Sequence, residues 1–227
     1  MAYLFDPPPQ PALPVAGETF LFPVHRIYCV GRNYAEHARE MGSNPDKDPP
    51  IFFQKNPDNL VRDGVFPYPS ASEDVHWEIE MVVALHSGGV DIAIETALDH
   101  VYGYAAALDM TRRDLQNAAK NKGQPWEVSK AFEKSAPCSA LVPATEIGYL
   151  ERGAIWLEVN GTRRQESDLA EMIWTIPQQI AYLSRLFELR AGDLIFTGTP
   201  SGVGAVRRGD VLKGHVDGLP ELTVKVV

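Results

Sequence analysis

Trp77-Glu78-Ile79-Glu80-Met81-Val82-Val83-Ala84-Leu85 changes character along its length, and its two halves together decide what this chain builds. In an extended strand alternate side chains share a face, so Glu78 and Glu80 point one way while Trp77, Ile79 and Met81 point the other. The apolar run that follows reads as a strand packed into a core. Two carboxylates side by side repel each other and are costly to bury together. A divalent cation is the simplest way to hold them there, and Asp109, 29 positions beyond Glu80, offers a third carboxylate at the end of another apolar run. Oxygen-only ligation favours Mg²⁺, Mn²⁺ or Ca²⁺ over Zn²⁺. Glu-x-Glu alone is more often the solvated face of a strand, so the choice between the two readings rests on the rest of the chain.

With 227 residues, 44% hydrophobic and 22% charged, the composition is that of an ordinary globular chain with room for one large domain. A formal charge of −9 argues against nucleic acid or an anionic membrane as partner, and an anionic substrate would need local cations to overcome that field. Arg112-Arg113 and Lys130 are candidates for such cations, although short charge pairs are more often solvated surface. Two cysteines, Cys29 and Cys138, are too few for a disulfide framework and sit in no metal motif. Cys29 lies in an apolar run and reads as a small buried hydrophobe. No basic-then-apolar leader is visible, and no apolar stretch approaches the roughly 20 residues that span a bilayer. The expected location is cytoplasmic.

Five of the 18 prolines fall between Asp6 and Pro14, so the first segment is expected to be extended. Residues 1–26 read as a proline-rich arm with an entry strand, and 27–227 as a single catalytic domain. Strands are expected at 27–30, 51–55, 101–108, 194–196, 211–212 and 222–227. Residues 155–159 with the Asn160-Gly161 turn give the strongest hairpin signal. Ser87-Gly88-Gly89 reads as a second hairpin turn. A short helix is expected after Asn33, with Asn33 as N-cap and Gly42 as its stop, followed by a polar loop over 44–50. A second is expected over 112–120, and the best one over 177–189, with Ile180, Leu183, Leu186 and Phe187 as one apolar stripe. Many short strands with few helices make the class α+β.

Gly198-Thr199-Pro200-Ser201-Gly202-Val203-Gly204 lacks the Gly-Lys-Ser/Thr ending of a Walker A loop and matches no dinucleotide fingerprint. It fits better as a tight loop offering backbone N–H groups and the Thr199 hydroxyl to a carboxylate, with a plain turn as the competing reading. His37 and Glu40 stand three apart on the first helix and share a face. A carboxylate beside an imidazole raises its basicity and fixes its tautomer, as a general base requires. Taken alone the pair reads as helix surface. No Gly-x-Ser-x-Gly nucleophile is present, so hydrolysis would use activated water. His76 shares the Glu78/Glu80 face and reads more readily as an outer or strand-start residue than as a ligand.

Together these segments resemble the fumarylacetoacetate hydrolase family. The resemblance runs from about Ile27 to the end of the chain. It is carried by Tyr28-Cys29-Val30-Gly31-Arg32-Asn33-Tyr34 with His37, by Trp77-Glu78-Ile79-Glu80, and by Gly103-Tyr104 leading to Leu108-Asp109-Met110-Thr111-Arg112-Arg113-Asp114-Leu115-Gln116. It continues through Gly123-Gln124-Pro125-Trp126 with Lys130 and through Gly192-Asp193 to the glycine-rich loop. Within the family the chain is most similar to fumarylpyruvate hydrolases and acylpyruvases. The resemblance implies a fold of layered β-sheets, a homodimer, and Mg²⁺ or Mn²⁺ held by Glu78, Glu80 and Asp109, with Ca²⁺ able to take the site in crystals. It implies a His37–Glu40 dyad on a mobile lid, an active-site Lys130, and Arg32, Gln116 and Thr199 lining the substrate pocket. One departure is Asn56, where the family usually has proline directly after the lysine matching Lys55.

The function so implied is metal-dependent hydrolysis of a carbon–carbon bond in a β-diketo acid, fumarylpyruvate giving fumarate and pyruvate. Acylpyruvate or maleylpyruvate hydrolysis, oxaloacetate decarboxylation and a hydroxymuconate-type isomerisation or decarboxylation use the same electron sink. A non-catalytic module binding metal and a diacid would have no use for His37, Glu40 and Lys130 together.

Overall fold

A computed structural model describes residues 3–40 and 49–227. Gly42 and most of the 44–50 loop lie outside those residues. Among the described residues the largest sheet has six strands, in the spatial order Val142–Pro143, Val101–Leu108, Ile79–Leu85, Asp193–Phe196, Arg26–Gly31, Ile51–Lys55. The Asp193–Phe196 strand runs parallel to Arg26–Gly31 and antiparallel to Ile79–Leu85. A five-stranded sheet packs against it, ordered Thr162–Asp168, Ala154–Val159, Val211–Val216, Leu222–Val226, Val65–Phe66.

The apolar run of the opening stretch is explained by this layering. Met81, Val83 and Leu85 join Ile155, Leu157, Leu212 and Val224 in the core between the two sheets. Val82 and Ala84, on the other face, pack with Cys29, Ala105, Ala107 and Phe196 beneath Leu13, Val15, Phe22 and Val24 of the N-terminal segment. A strand covered on both faces shows no alternation. That N-terminal segment forms a small hairpin, Ala12–Pro14 with Leu21–Pro23, over the second face. Both cysteines are buried and free.

The Asn160-Gly161 hairpin forms between Ala154–Val159 and Thr162–Asp168, with φ of 51° and 77° at the two turn residues, the left-handed pair that Asn-Gly accepts. Three expectations are corrected. Ser87-Gly88-Gly89 is no tight hairpin turn: strands Ile79–Leu85 and Val101–Leu108 do pair, but a 3₁₀ helix, Ile94–His100, lies in their connection. Asn33 does not cap the helix Ala35–Glu40. The Tyr34 carbonyl accepts its first bond, from Ala38 N, and the Asn33 side chain is spent elsewhere. The best helix spans Ile176–Leu186 and buries Ile176, Ile180, Ala181 and Leu183, whereas Leu186 is exposed and Phe187 is already extended.

Candidate active site

The antiparallel register brings the carboxylates together. Ile79 pairs with Leu108 and Glu80 with Ala107, so Glu78 and Asp109 stand opposite each other just beyond the paired ends. Asp109 N donates to the Glu78 carbonyl at 2.9 Å. The strand breaks at Glu78 between Val75–Trp77 and Ile79–Leu85, and Glu80 continues the Val82–Ala84 face. One carboxylate oxygen each from Glu78, Glu80 and Asp109 lie within 4.8 Å of one another, and all three residues are buried.

Cations surround this cluster unevenly. Lys130 Nζ donates to Glu78 Oε2 at 2.8 Å, Asp109 Oδ2 at 2.5 Å and Thr111 Oγ1 at 2.6 Å. Arg113 donates to Glu78 Oε1 and, at 2.5 Å, to Gln116 Oε1. Lys55 Nζ is buried 2.8 Å from Asp109 Oδ1, an ionic contact without the alignment of a hydrogen bond, and its protons go to the carbonyls of Met110 and Lys130 and to Ser135 Oγ. Glu80 makes no ion pair among the described residues; its Oε2 accepts from Gly198 N at 2.9 Å. Burial would raise the Glu78 carboxyl, but Lys130 and Arg113 hold it well below the usual range. Burial, then Asp109 and Glu78, push Glu80 well above it. For Lys130, burial works downward and is outweighed by Asp109 and Glu78, so its ammonium is held charged. A buried carboxylate with no cation of its own, beside an Asp109 oxygen lacking a hydrogen bond, is a donor set that fits a hard divalent cation.

A narrow cleft opens on the cluster. Its walls include Arg32, His37, Gln116, Lys130 and Thr199 with the three carboxylates, so eight of the nine residues singled out from the sequence meet in one place. Glu40 is the ninth, and it reaches the cleft through His37, whose Nδ1 lies 3.1 Å from Glu40 Oε2. His37 is buried and Glu36 exposed on the same short helix. Burial lowers the His37 pKa below 6.5, with Glu78 and Glu40 partly offsetting it. His76 lies outside the lining and bonds Asp74 instead, Nε2 to Oδ1 at 2.9 Å.

Two loops frame the cleft. Gly198 has φ +96°, and a Cβ there would stand 2.6 Å from Asn33 Cβ, so glycine alone lets its N–H reach Glu80. The loop's N–H thus serves the protein's own carboxylate, and the Thr199 hydroxyl accepts from Gln165 Nε2 at 2.8 Å. Asn33 ties the approach to the helix Ala35–Glu40 to this loop: Nδ2 donates to the Thr197 and Trp174 carbonyls at 2.8 and 3.0 Å, and Oδ1 accepts from Trp174 N at 2.7 Å. At Asn56 the backbone N–H donates to Asn59 Oδ1 at 2.9 Å, a bond that proline could not make, and Pro57 opens the 3₁₀ turn that follows. Lys55, beside Asp109, is the site residue that reading the sequence missed, and Arg113 was named there only as one of several candidate cations, not as a partner of Glu78. Helical spacing could have singled out Arg113 from Arg112, since it stands three before Gln116 on the helix Arg113–Asn121.

The fold and this site define a family. The model of the fumarylacetoacetate (FAA) hydrolase C-terminal domain matches residues 26–227, and the chain belongs to the fumarylacetoacetate hydrolase family of hydrolases and isomerases. The crystal structure of fumarylpyruvate hydrolase from Pseudomonas aeruginosa, in complex with Mn²⁺ and pyruvate, is 50% identical with a TM-score of 0.97, over 100% of this chain and 99% of that one. Fumarylpyruvate hydrolase of Ralstonia sp is 43% identical over 189 residues, 82% of this chain and 98% of that protein. Mitochondrial oxaloacetate tautomerase FAHD1 of Rattus norvegicus is 41% identical over 200 residues, 88% of this chain and 90% of that protein. No helix among the described residues is long and apolar enough to cross a membrane.

Proposed function

We propose that this chain hydrolyses the carbon–carbon bond of a 2,4-diketo acid, fumarylpyruvate first among them, to a carboxylate and pyruvate. The observation that carries the reading is the meeting of three buried carboxylates and the His37–Glu40 dyad at one cleft. The similarity to fumarylpyruvate hydrolases, one of them solved with Mn²⁺ and pyruvate, supports it. Mg²⁺ or Mn²⁺ held by Glu78, Glu80 and Asp109 would supply Lewis acidity toward the 2-oxo acid and an electron sink for the leaving enolate.

The protein's own residues do the rest. Glu40 at Nδ1 fixes the tautomer of His37 and leaves Nε2 to take a proton from water. The hydroxide equivalent adds to the distal carbonyl, the bond to the neighbouring methylene breaks, and the proton held by His37 returns to the departing enolate carbon. Lys130 is tied to Glu78 and Asp109, so its charge acts first on the carboxylate cluster; from there it and Gln116 line the cleft where an oxyanion would form. Water exclusion falls to the lid that carries His37. As the resemblance implies, the assembly is a homodimer, which light scattering after gel filtration would read.

Loss of enolate absorbance on adding protein and Mn²⁺ to fumarylpyruvate, abolished by EDTA, is the expected result. No metal-dependent loss with fumarylpyruvate or acetylpyruvate would end the reading. Oxaloacetate belongs in the same assay, because relatives of comparable identity act on it by name; turnover of oxaloacetate alone would favour tautomerase or decarboxylase chemistry at the same site.

A further inference from the structure

The cleft has two charged parts. One is the carboxylate cluster. The other is a group of cations, Arg32, Arg113 and Lys120, in the same lining. Arg113, Gln116 and Lys120 fall at i, i+3 and i+7 of the helix Arg113–Asn121 and so share the face turned to the cleft. Arg113 is committed to Glu78 and Gln116. Lys120 is not: it is half-buried, lines the cleft, and pairs with no carboxylate among the described residues. Burial, then Arg32 and Arg113, lower its pKa, and an anion bound beside it in the cleft would act the opposite way. A last-turn lysine gains from the helix dipole. That accounts for a cation at this position, but not for its facing a cleft already holding two guanidinium groups.

Seven residues of helix set Lys120 about 10 Å along the axis from Arg113, which touches Glu78. That reach is comparable with an extended seven-carbon diacid. Phe53 and Trp126, ring centroids 5.9 Å apart, line the cleft as well and suit a flat conjugated chain.

We propose that Lys120, with Arg32 beside it, binds the second carboxylate of a dianionic diketo acid, so that the cleft prefers diacids to monoacids. This rests on the diketo-acid reading and names the part of the substrate that reading leaves open.

The test uses the full chain loaded with Mn²⁺, unmodified and as Lys120→Gln and Lys120→Arg. Steady-state rates are taken on fumarylpyruvate, a diacid, and acetylpyruvate, a monoacid. Calorimetry with 2-oxohexanedioate and 2-oxohexanoate gives a readout that needs no turnover. In Lys120→Gln, kcat/KM for the diacid should fall about tenfold further than for the monoacid, chiefly through KM, and diacid affinity should fall in step. Lys120→Arg should restore most of both. Equal losses on the two classes, or an unaltered diacid preference, would overturn the proposal. Should the unmodified protein hydrolyse neither diketo acid, the hydrolase reading alone has failed. Calorimetry then decides the subsite: a Lys120-dependent preference for the diacid supports it, and none overturns it.

Discussion

Glu80 is the carboxylate with the least support of its own, one backbone N–H and no paired cation among the described residues, and it is where metal should matter most. Glu80→Gln keeps an acceptor for Gly198 and removes a charge beside Asp109 and Glu78. Mn²⁺ affinity should then fall by about two orders of magnitude or more, beyond the roughly 10–100-fold of an outer partner, while the metal-free melting temperature stays level or rises. Calorimetric titration and thermal melts read both, and near-normal Mn²⁺ affinity would remove Glu80 from the ligand set. His37 carries a second expectation. Because burial holds its pKa below 6.5, it is neutral at pH 7, and the acid limb of kcat/KM should lie below pH 6.5. A bound dication moves it further the same way. Glu40 raises the His37 pKa, so Glu40→Gln should shift the limb lower still and reduce kcat. The unfolded chain binds more protons at this histidine between its lowered pKa and 6.5; the contribution to stability is therefore full above 6.5 and lost as pH falls through that window. A strand's period puts Glu78 and Glu80 on one face in the sequence, but that alone also fits a solvated edge. Asp109 offered a third carboxylate and joined them as a ligand set only through the family resemblance. Lys55 was not legible, since a lysine ending an apolar strand looks like its solvated tip until the fold buries it.

Among the elements, the helix Ala35–Glu40 shows most clearly how local signals are overruled. Asn33 before a short helix looks like a cap, but its amide reaches Trp174 and Thr197, far away in the chain. Asn33→Ala would leave buried backbone groups unpaired and should cost about 1–3 kcal/mol in urea unfolding, with kcat falling because the segment leading into the His37 helix is loosened. Gly161→Ala is the contrast, set in the Asn160-Gly161 turn away from the cleft. A left-handed φ of 77° should make it cost about 1 kcal/mol while kcat/KM is kept. That hairpin could be read directly because both residues of its turn carry the required preference. The Ser87–Gly89 region misled because the Ile94–His100 helix is 3₁₀ and shows no 3.6-residue period. The stripe assigned to the long helix ran too far for a related reason: Leu186, its last residue, is exposed, and Phe187 continues the apolar pattern where the backbone has already left the helix.

For the whole molecule, the α+β class followed from strand count, whereas sheet order did not, since pairing partners far apart in sequence leave no local trace. Removing metal should act on the molecule globally. Three buried carboxylates repel without it, and at a free Mn²⁺ concentration a thousand times Kd the folded state should gain about 4 kcal/mol. A melting temperature indifferent to EDTA would count against a built site. The strand Asp193–Phe196 lies between Arg26–Gly31 and Ile79–Leu85, so the six-stranded sheet closes only when a late part of the chain is inserted between two early ones. Gly198, the donor to Glu80, follows that strand. A nascent chain emerging from the ribosome therefore carries Glu78, Glu80 and Asp109 through the whole stretch from Asp109 to Gly198 without the platform that aims them, and such non-local closure is slow. Capture of Mn²⁺ should accordingly belong to the final phase of refolding, visible in stopped-flow as a lag behind secondary structure and not as an initial burst.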